Sequence, residues 1–200
     1  MAVLPVYVEP HEVLRKIAAP VAGGVTDELR QLMDDMVETM HANNGIGLAA
    51  PQVGVSLRIF VLQIPESRGG DNKPLYFVNP EITASGELVP YEEGCLSVPG
   101  VSVGEKAPQG EKGKAKAEVM RPKKASVSYL DRDGNPRTME AEGCLLAVAL
   151  QHETDHLDGK LFIDHLSVEE RDRVMQECRE YIKSGDPSEF AEMFVFDQPE

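Results

Sequence analysis

Gln151-His152-Glu153-Thr154-Asp155-His156-Leu157-Asp158-Gly159 is the stretch on which the reading of this chain turns. His152 and His156 stand four apart, so on a helix they lie one above the other on one face. Two neutral imidazoles so placed can grip one metal ion, and Glu153 between them can take a proton from a water at that ion. His-Glu-x-x-His is the pattern of metal-assisted hydrolysis. The residues before it agree with a helix over Gly143–Leu157, with Leu145, Leu146, Ala149 and Leu150 apolar.

Beyond that helix, Val168–Lys183 reads as a final one, opened by Ser167, with Val174, Met175, Cys178, Tyr181 and Ile182 on its inner face. Near the start, Thr26 is placed to cap another, with Asp27 and Glu28 at its positive end. Its apolar stripe of Leu29, Leu32, Met33, Met36, Val37 and Met40 reads as core, and Asn43-Asn44-Gly45 stops it. Pro10–Ala19 reads as a short helix with Val13, Leu14 and Ile17 apolar, closed by Pro20. Between these lie β-like runs, Leu57–Ile64, Leu75–Val78 and Glu81–Leu88. Lys124–Leu130 and Pro136–Ala141 flank the turn Asp131-Arg132-Asp133-Gly134-Asn135 as a hairpin. Strands followed by helices predict one α+β domain over 1–183. Gly104–Glu118, rich in Lys, Glu and Gly without an apolar period, is expected to be a mobile loop. Residues 184–200 form an acidic tail, and the aromatic cluster Phe190–Phe196 within it needs a surface to cover, on its own domain or a partner.

The chain has 200 residues, 42% hydrophobic, with a net charge of −14. That charge disfavours DNA and general nucleic-acid binding, which need clustered Lys and Arg. No apolar run approaches the ~18 residues of a membrane span, so no membrane partner is expected. The start carries no basic segment followed by an apolar one, and three cysteines, Cys95, Cys144 and Cys178, are an odd number. A reducing bacterial cytosol is the expected setting, rather than a disulfide framework.

Two histidines and a glutamate leave a catalytic metal site short of one protein ligand. A third histidine six residues after His156 would make a metzincin, but that position is Phe162, which cannot ligate. A glutamate from the following helix would make a thermolysin-like protease, and Glu177 is the candidate. The third candidate is Cys95, in Glu92-Glu93-Gly94-Cys95-Leu96-Ser97, where Gly94 permits close backbone approach.

Three separated strings resemble the signature motifs of the peptide deformylases: Gly45-Ile46-Gly47-Leu48-Ala49-Ala50-Pro51-Gln52, Glu93-Gly94-Cys95-Leu96-Ser97, and Gln151-His152-Glu153-Thr154-Asp155-His156. Their order and approximate spacing match, and the resemblance covers about residues 1–183. It implies a peptide deformylase-like fold, with antiparallel sheets around a central metal-binding helix and a C-terminal helix. It also implies hydrolysis of the N-formyl group on the first methionine of new polypeptides, releasing formate.

Carried over by motif, Cys95, His152 and His156 are the metal ligands. Glu153 is general base and then acid, not a ligand. The Gln52 amide and the Leu96 backbone N–H donate to the developing oxyanion. The implied metal is Fe2+, although a Cys-His-His set also accepts Zn2+, Ni2+ or Co2+. Ile46, Gly47 and Gly94 are candidates to pair with the substrate main chain as an added strand. Ile46, Tyr91, Leu145 and Val148 are candidates for the methionine pocket. Glu93 and Arg121 are expected to pair and brace the cysteine loop. Expected partners are N-formyl-methionyl nascent polypeptides, with at most weak ribosome association.

The chain departs from the family pattern in two places. Gly104–Glu118 looks like an insertion, read as a lengthened hairpin rather than a lid. The last helix mixes Arg171, Arg173, Arg179 and Lys183 with Glu169, Glu170, Asp172, Glu177 and Glu180, which argues against ribosome docking by a basic helix. Two other readings compete. A zinc endopeptidase would use Glu177 as third ligand. A non-catalytic protein binding nascent chains or ribosomes would not need Glu153.

Overall fold

Thr26, in extended backbone, accepts the N–H of Leu29 on its hydroxyl and opens α1 (Asp27–Ala42). Met33, Met36 and Met40 on its inner face are fully buried, as their spacing requires. Asn44 follows in the left-handed region at φ 52° and turns the chain into β2 (Gly47–Ala49). The structure, a computed structural model, describes residues 2–101, 112–184 and 194–195. Their strands are β1 (Val6–Tyr7), β2, β3 (Ile59–Leu62), β4 (Leu75–Val101), β5 (Lys112–Leu130), β6 (Pro136–Glu142) and β7 (Phe194–Val195). Two further helices, α2 (Leu145–Leu157) and α3 (Val168–Ser184), complete the set.

The five strands β2-β3-β4-β5-β6 form one antiparallel sheet in that order, while β1 and β7 pair in parallel. The sheet is built on β4, 27 residues long, and its partner β5. The apolar runs at Leu75–Val78 and Glu81–Leu88 are pieces of this one strand, which continues through the cysteine motif. Three register shifts break the β4–β5 ladder, the last between Gly94 and Pro99. A bulge there kinks the strand and re-aims the side chains of Cys95 to Val98. The predicted hairpin is β5 and β6, where Asp131 accepts the backbone N–H groups of Asp133 and Asn135.

Two apolar clusters share the sheet. One gathers α1, α3 and the cysteine motif around Met33, Met36, Val61, Val98, Val174 and Cys178. The other seats α2 on the sheet through Ala147, Ala149, Leu150 and Leu157 against Phe60, Phe77 and Val127. α3 begins where expected, with Ser167 accepting the N–H of Glu170.

Three expectations are corrected. Pro10–Ala19 holds only a short 3-10 turn, Glu12–Arg15, and Ile17 is 76% exposed. The five residues between Pro10 and Lys16 do not suffice to propagate an α-helix whose nucleus is costly. Lys112–Glu118 are not a loop but the start of β5, paired with Glu92–Val101. The ladder supplies the order that composition alone does not announce, and the two strands lengthen a hairpin. The rest of that expected loop, 104–111, lies outside the described residues. The tail is not wholly separate either, for Phe194 is buried against its own domain and β7 pairs with β1.

Candidate metal centre

α2 is buried along most of its length, including Glu153, Thr154 and His156. Its first six residues, Leu145–Leu150, are apolar all round and draw the helix into the molecule, so the polar residues that follow are carried inside too. His152 and His156 present ring centroids 5.0 Å apart. Cys95, on the bulged part of β4, meets them: its Sγ is 3.3 Å from His156 Nε2. One ligand atom each from Cys95, His152 and His156 all lie within 4.8 Å of one another. Tetrahedral coordination at ~2.0–2.3 Å per bond places such atoms roughly 3.3–3.8 Å apart, so the group fits one ion.

Electrostatics favour a cation as well. Glu93 Oε2 accepts from His152 Nδ1 at 2.8 Å, which leaves Nε2 of that ring for a metal. Burial pushes the Glu93 carboxyl up, but His152 and Arg121 outweigh it and hold it at about 2. Burial also opposes ionisation of Cys95, yet the two imidazoles hold its thiol well below the usual range. Against burial again, Cys95 and Glu93 hold the His152 imidazole well above its usual range. Surroundings that keep a proton on a buried imidazole also stabilise a bound cation. Cys178 shows the contrast, since burial pushes its thiol up to about 12.

Glu93 is itself held from behind. Arg121, 3% exposed, donates from Nε and Nη2 to its two oxygens at 2.7 and 3.0 Å. From Nη1 it also donates to Asp155 Oδ2 at 2.5 Å, and His165 Nε2 lies 2.8 Å from that oxygen. The Glu93–Arg121 pair was legible in sequence. Asp155 and His165 were not, because nothing in their spacing shows that α2 and the turn after it converge on β5. Phe162, at the metzincin position, lies with its ring centroid 6.3 Å from that of His152 and packs rather than ligates.

Gln52 is 1% exposed and its amide is oriented at both ends. Its Oε1 accepts the N–H of Ala49 at 2.8 Å, and its Nε2 donates to Cys95 Sγ and Ser97 Oγ at 3.3 and 3.1 Å. Glu153 stands over Gly47, where an added Cβ would collide with its carboxylate and lie 2.8 Å from Leu62 Cδ2. Only glycine lets β2 pass this close to the carboxylate.

A cavity of about 170 Å³ opens at this group. Ile46, Gly47, Gln52, Gly94, Cys95, Leu96, Leu145, Val148, His152 and Glu153 line it, as the sequence reading grouped them. Tyr91 does not. It lies four residues before Cys95, roughly 13 Å along the strand, opposite Val119. The lining also includes Asn44, Arg68, Glu92, Lys116 and Ala149, which no motif announced. Glu177 is not part of the metal group. It stays on α3 and accepts from Arg173 at 2.6 Å.

The comparisons with known proteins agree with this geometry. The family model described as polypeptide deformylase matches residues 3–106 and 111–172. A peptide deformylase of Phenylobacterium zucineum is 45% identical over 186 residues, 92% of this chain and all of that relative. One of Caulobacter vibrioides is 51% identical over 167 residues, 83% of this chain and 87% of the relative. The crystal structure of a Legionella pneumophila peptide deformylase superposes with a TM-score of 0.78 at 41% identity, covering 91% of this chain and 96% of that one. An Ehrlichia chaffeensis peptide deformylase in complex with actinonin gives 0.77 at 40%, covering 90% and 98%. With its Cys-His-His group, its fold and these relatives in agreement, the chain belongs to the peptide deformylase family.

Proposed function

We infer that this protein hydrolyses the N-formyl group from the first methionine of newly made polypeptides, giving formate and a free amine. The observation that carries the reading is the convergence of Cys95, His152, His156, Glu153 and Gln52 on one cavity. The Cys-His-His set would hold the metal, read as Fe2+, with Zn2+, Ni2+ or Co2+ as alternatives for the same donors. When bound, the ion supplies a Lewis acid that polarises the formyl oxygen and acidifies water.

The chain's own residues supply the rest. Glu153, buried over Gly47, takes a proton from the attacking water. It returns that proton to the nitrogen as the C–N bond breaks. Gln52 presents its Nε2 because Oε1 is committed to Ala49, and one of the N–H groups now on Cys95 Sγ and Ser97 Oγ turns to donate to the developing oxyanion. The Leu96 backbone N–H is the second donor. β2 pairs only with β3 among the described strands, so the edge at Ile46 and Gly47 is available to the substrate main chain, with Gly94 facing it across the cleft. Ile46, Leu145 and Val148, with Ala149, form the apolar side that takes the methionine.

In this reading the antiparallel sheet on which the histidine helix packs holds it against the cysteine bulge. No helix among the described residues is long and apolar enough to cross a membrane. The bacterial relatives support work in a bacterial cytosol. Any ribosome contact is weak, because Arg171 and Arg173 on α3 pair with Asp164 and Glu177 and leave no basic stripe.

Formate release from formyl-Met-Ala-Ser by anaerobically prepared, Fe2+-loaded protein tests the reading, with Glu153→Ala beside it. Release by the wild type alone is expected. Folded, loaded wild type that releases none overturns it.

A further inference from the structure

The cavity lining holds two exposed cations whose situations differ. Lys116 donates to Glu92 Oε1 at 2.7 Å, so its charge is matched within the lining. Arg68 makes no side-chain hydrogen bond or ion pair among the described residues, although 34 of the chain's 200 residues are acidic. An arginine left uncommitted on so acidic a protein, at the rim of the substrate cavity, is a charge available to a ligand.

Arg68 is also held in place. It ends the short 3-10 turn Glu66–Arg68, whose N–H groups bond back at both steps, Arg68 to Pro65 and Gly69 to Glu66. Gly69 at φ 86° and Gly70 then reverse the chain, and a Cβ on Gly70 would strike the Ile64 carbonyl. The Gly70 N–H bonds Pro65 and the Asn72 N–H bonds Ile64. Gln63 Nε2 donates to the Asn72 carbonyl and side-chain oxygens, closing the turn. The backbone that carries Arg68 is therefore fixed relative to β3, and β3 is hydrogen-bonded to β2, the edge on which the substrate is read to add.

We propose that Arg68 is a specificity-determining residue: its guanidinium receives a carboxylate of the substrate chain downstream of the formyl-methionine. The planar fork of arginine suits a carboxylate. The carboxylate has two possible sources, an Asp or Glu side chain within the first few residues or the C-terminus of a short peptide. This rests on the deformylase reading above.

The test uses the Fe2+-loaded full chain and two sets of formyl-Met tetrapeptides, one amidated and one with a free C-terminus. Glu, Gln and Lys are placed in turn at the second, third and fourth positions, and kcat/KM is read from formate. In the amidated set, wild type is expected to prefer Glu over Lys at one position by about two- to fivefold at low salt, carried by KM rather than kcat. The preference should fade in 0.5 M salt, and Arg68→Glu should invert it. If instead only the free C-terminus raises kcat/KM, and Arg68→Glu removes that gain, the carboxylate is the terminal one. An Arg68→Glu variant that is folded by circular dichroism yet ranks every peptide as wild type does overturns the proposal. Absence of formate from every peptide with wild type indicts the deformylase reading instead.

Discussion

Gly47 and Gln52 act through what they touch. Gly47→Ala places a methyl group against the Glu153 carboxylate and Leu62. It should lower kcat by at least tenfold while metal content, read by elemental analysis, stays at wild-type level. A β2 strand that shifts to make room would raise KM as well, and the two constants separate these outcomes. Gln52→Leu removes the oriented Nε2 while keeping the volume. Its expected cost is about 10²–10³ in kcat, as for loss of one oxyanion donor elsewhere. A variant within threefold of wild type would remove Gln52 from the mechanism. These residues were legible through the resemblance of Gly45–Gln52 to a deformylase motif, since a glutamine without that context reads as a surface residue. Tyr91 is not among the residues that line the cavity, although Glu92 and Glu93 beside it in the chain are.

Elements set the brace behind the centre. Arg121 on β5 joins Glu93 on β4 to Asp155 on α2, all with little or no exposure. Arg121→Gln leaves two buried carboxylates facing each other and should destabilise the fold by about 3–5 kcal/mol, measured by urea unfolding at neutral pH. The pH dependence follows from the same pair. Glu93 and Asp155 are both held at about 2, below their ordinary values near 4. Depressed carboxylates contribute stability that is fully present above pH ~4 and is lost as pH falls toward 2. With chelator present, wild-type stability should fall over that window. The Arg121→Gln protein, whose carboxylates keep only His152 and His165 to hold them down, should lose less there. Parallel pH curves for the two proteins would contradict the account. α1, α2 and α3 were readable from caps and apolar stripes. The length of β4 and β5 was not, because a Lys- and Glu-rich run joins a strand only when a partner ladder is already beside it.

At the scale of the whole molecule, the metal group draws on β4 and α2, which two apolar clusters hold together from opposite sides. Binding a ligand to the folded state alone stabilises by mass action, about 4 kcal/mol at a thousand times Kd. Chelation should therefore lower Tm by roughly 8–16 °C for a domain of this size, and readdition of Fe2+ or Ni2+ should restore it. A Tm unmoved by chelator, with metal shown to have left, would mean that the centre contributes nothing to holding β4 against α2.

From the sequence alone came the reaction chemistry: the His-Glu-x-x-His spacing, the Gly-Cys-Leu-Ser string and the glycine-rich loop before Gln52 specify donors and a base at short range. Helix positions followed from local periodicity and capping, which are also short-range. The motif resemblance already chose Cys95 over Glu177, but only the tertiary structure shows how β4 brings Cys95 beside both histidines of α2. It alone also shows the uncommitted Arg68 at the cavity rim and His165 as the outer end of the Glu93 brace. Those facts depend on which distant strands pair and how a bulge turns them, and contacts between residues far apart in the chain leave no periodic trace along it.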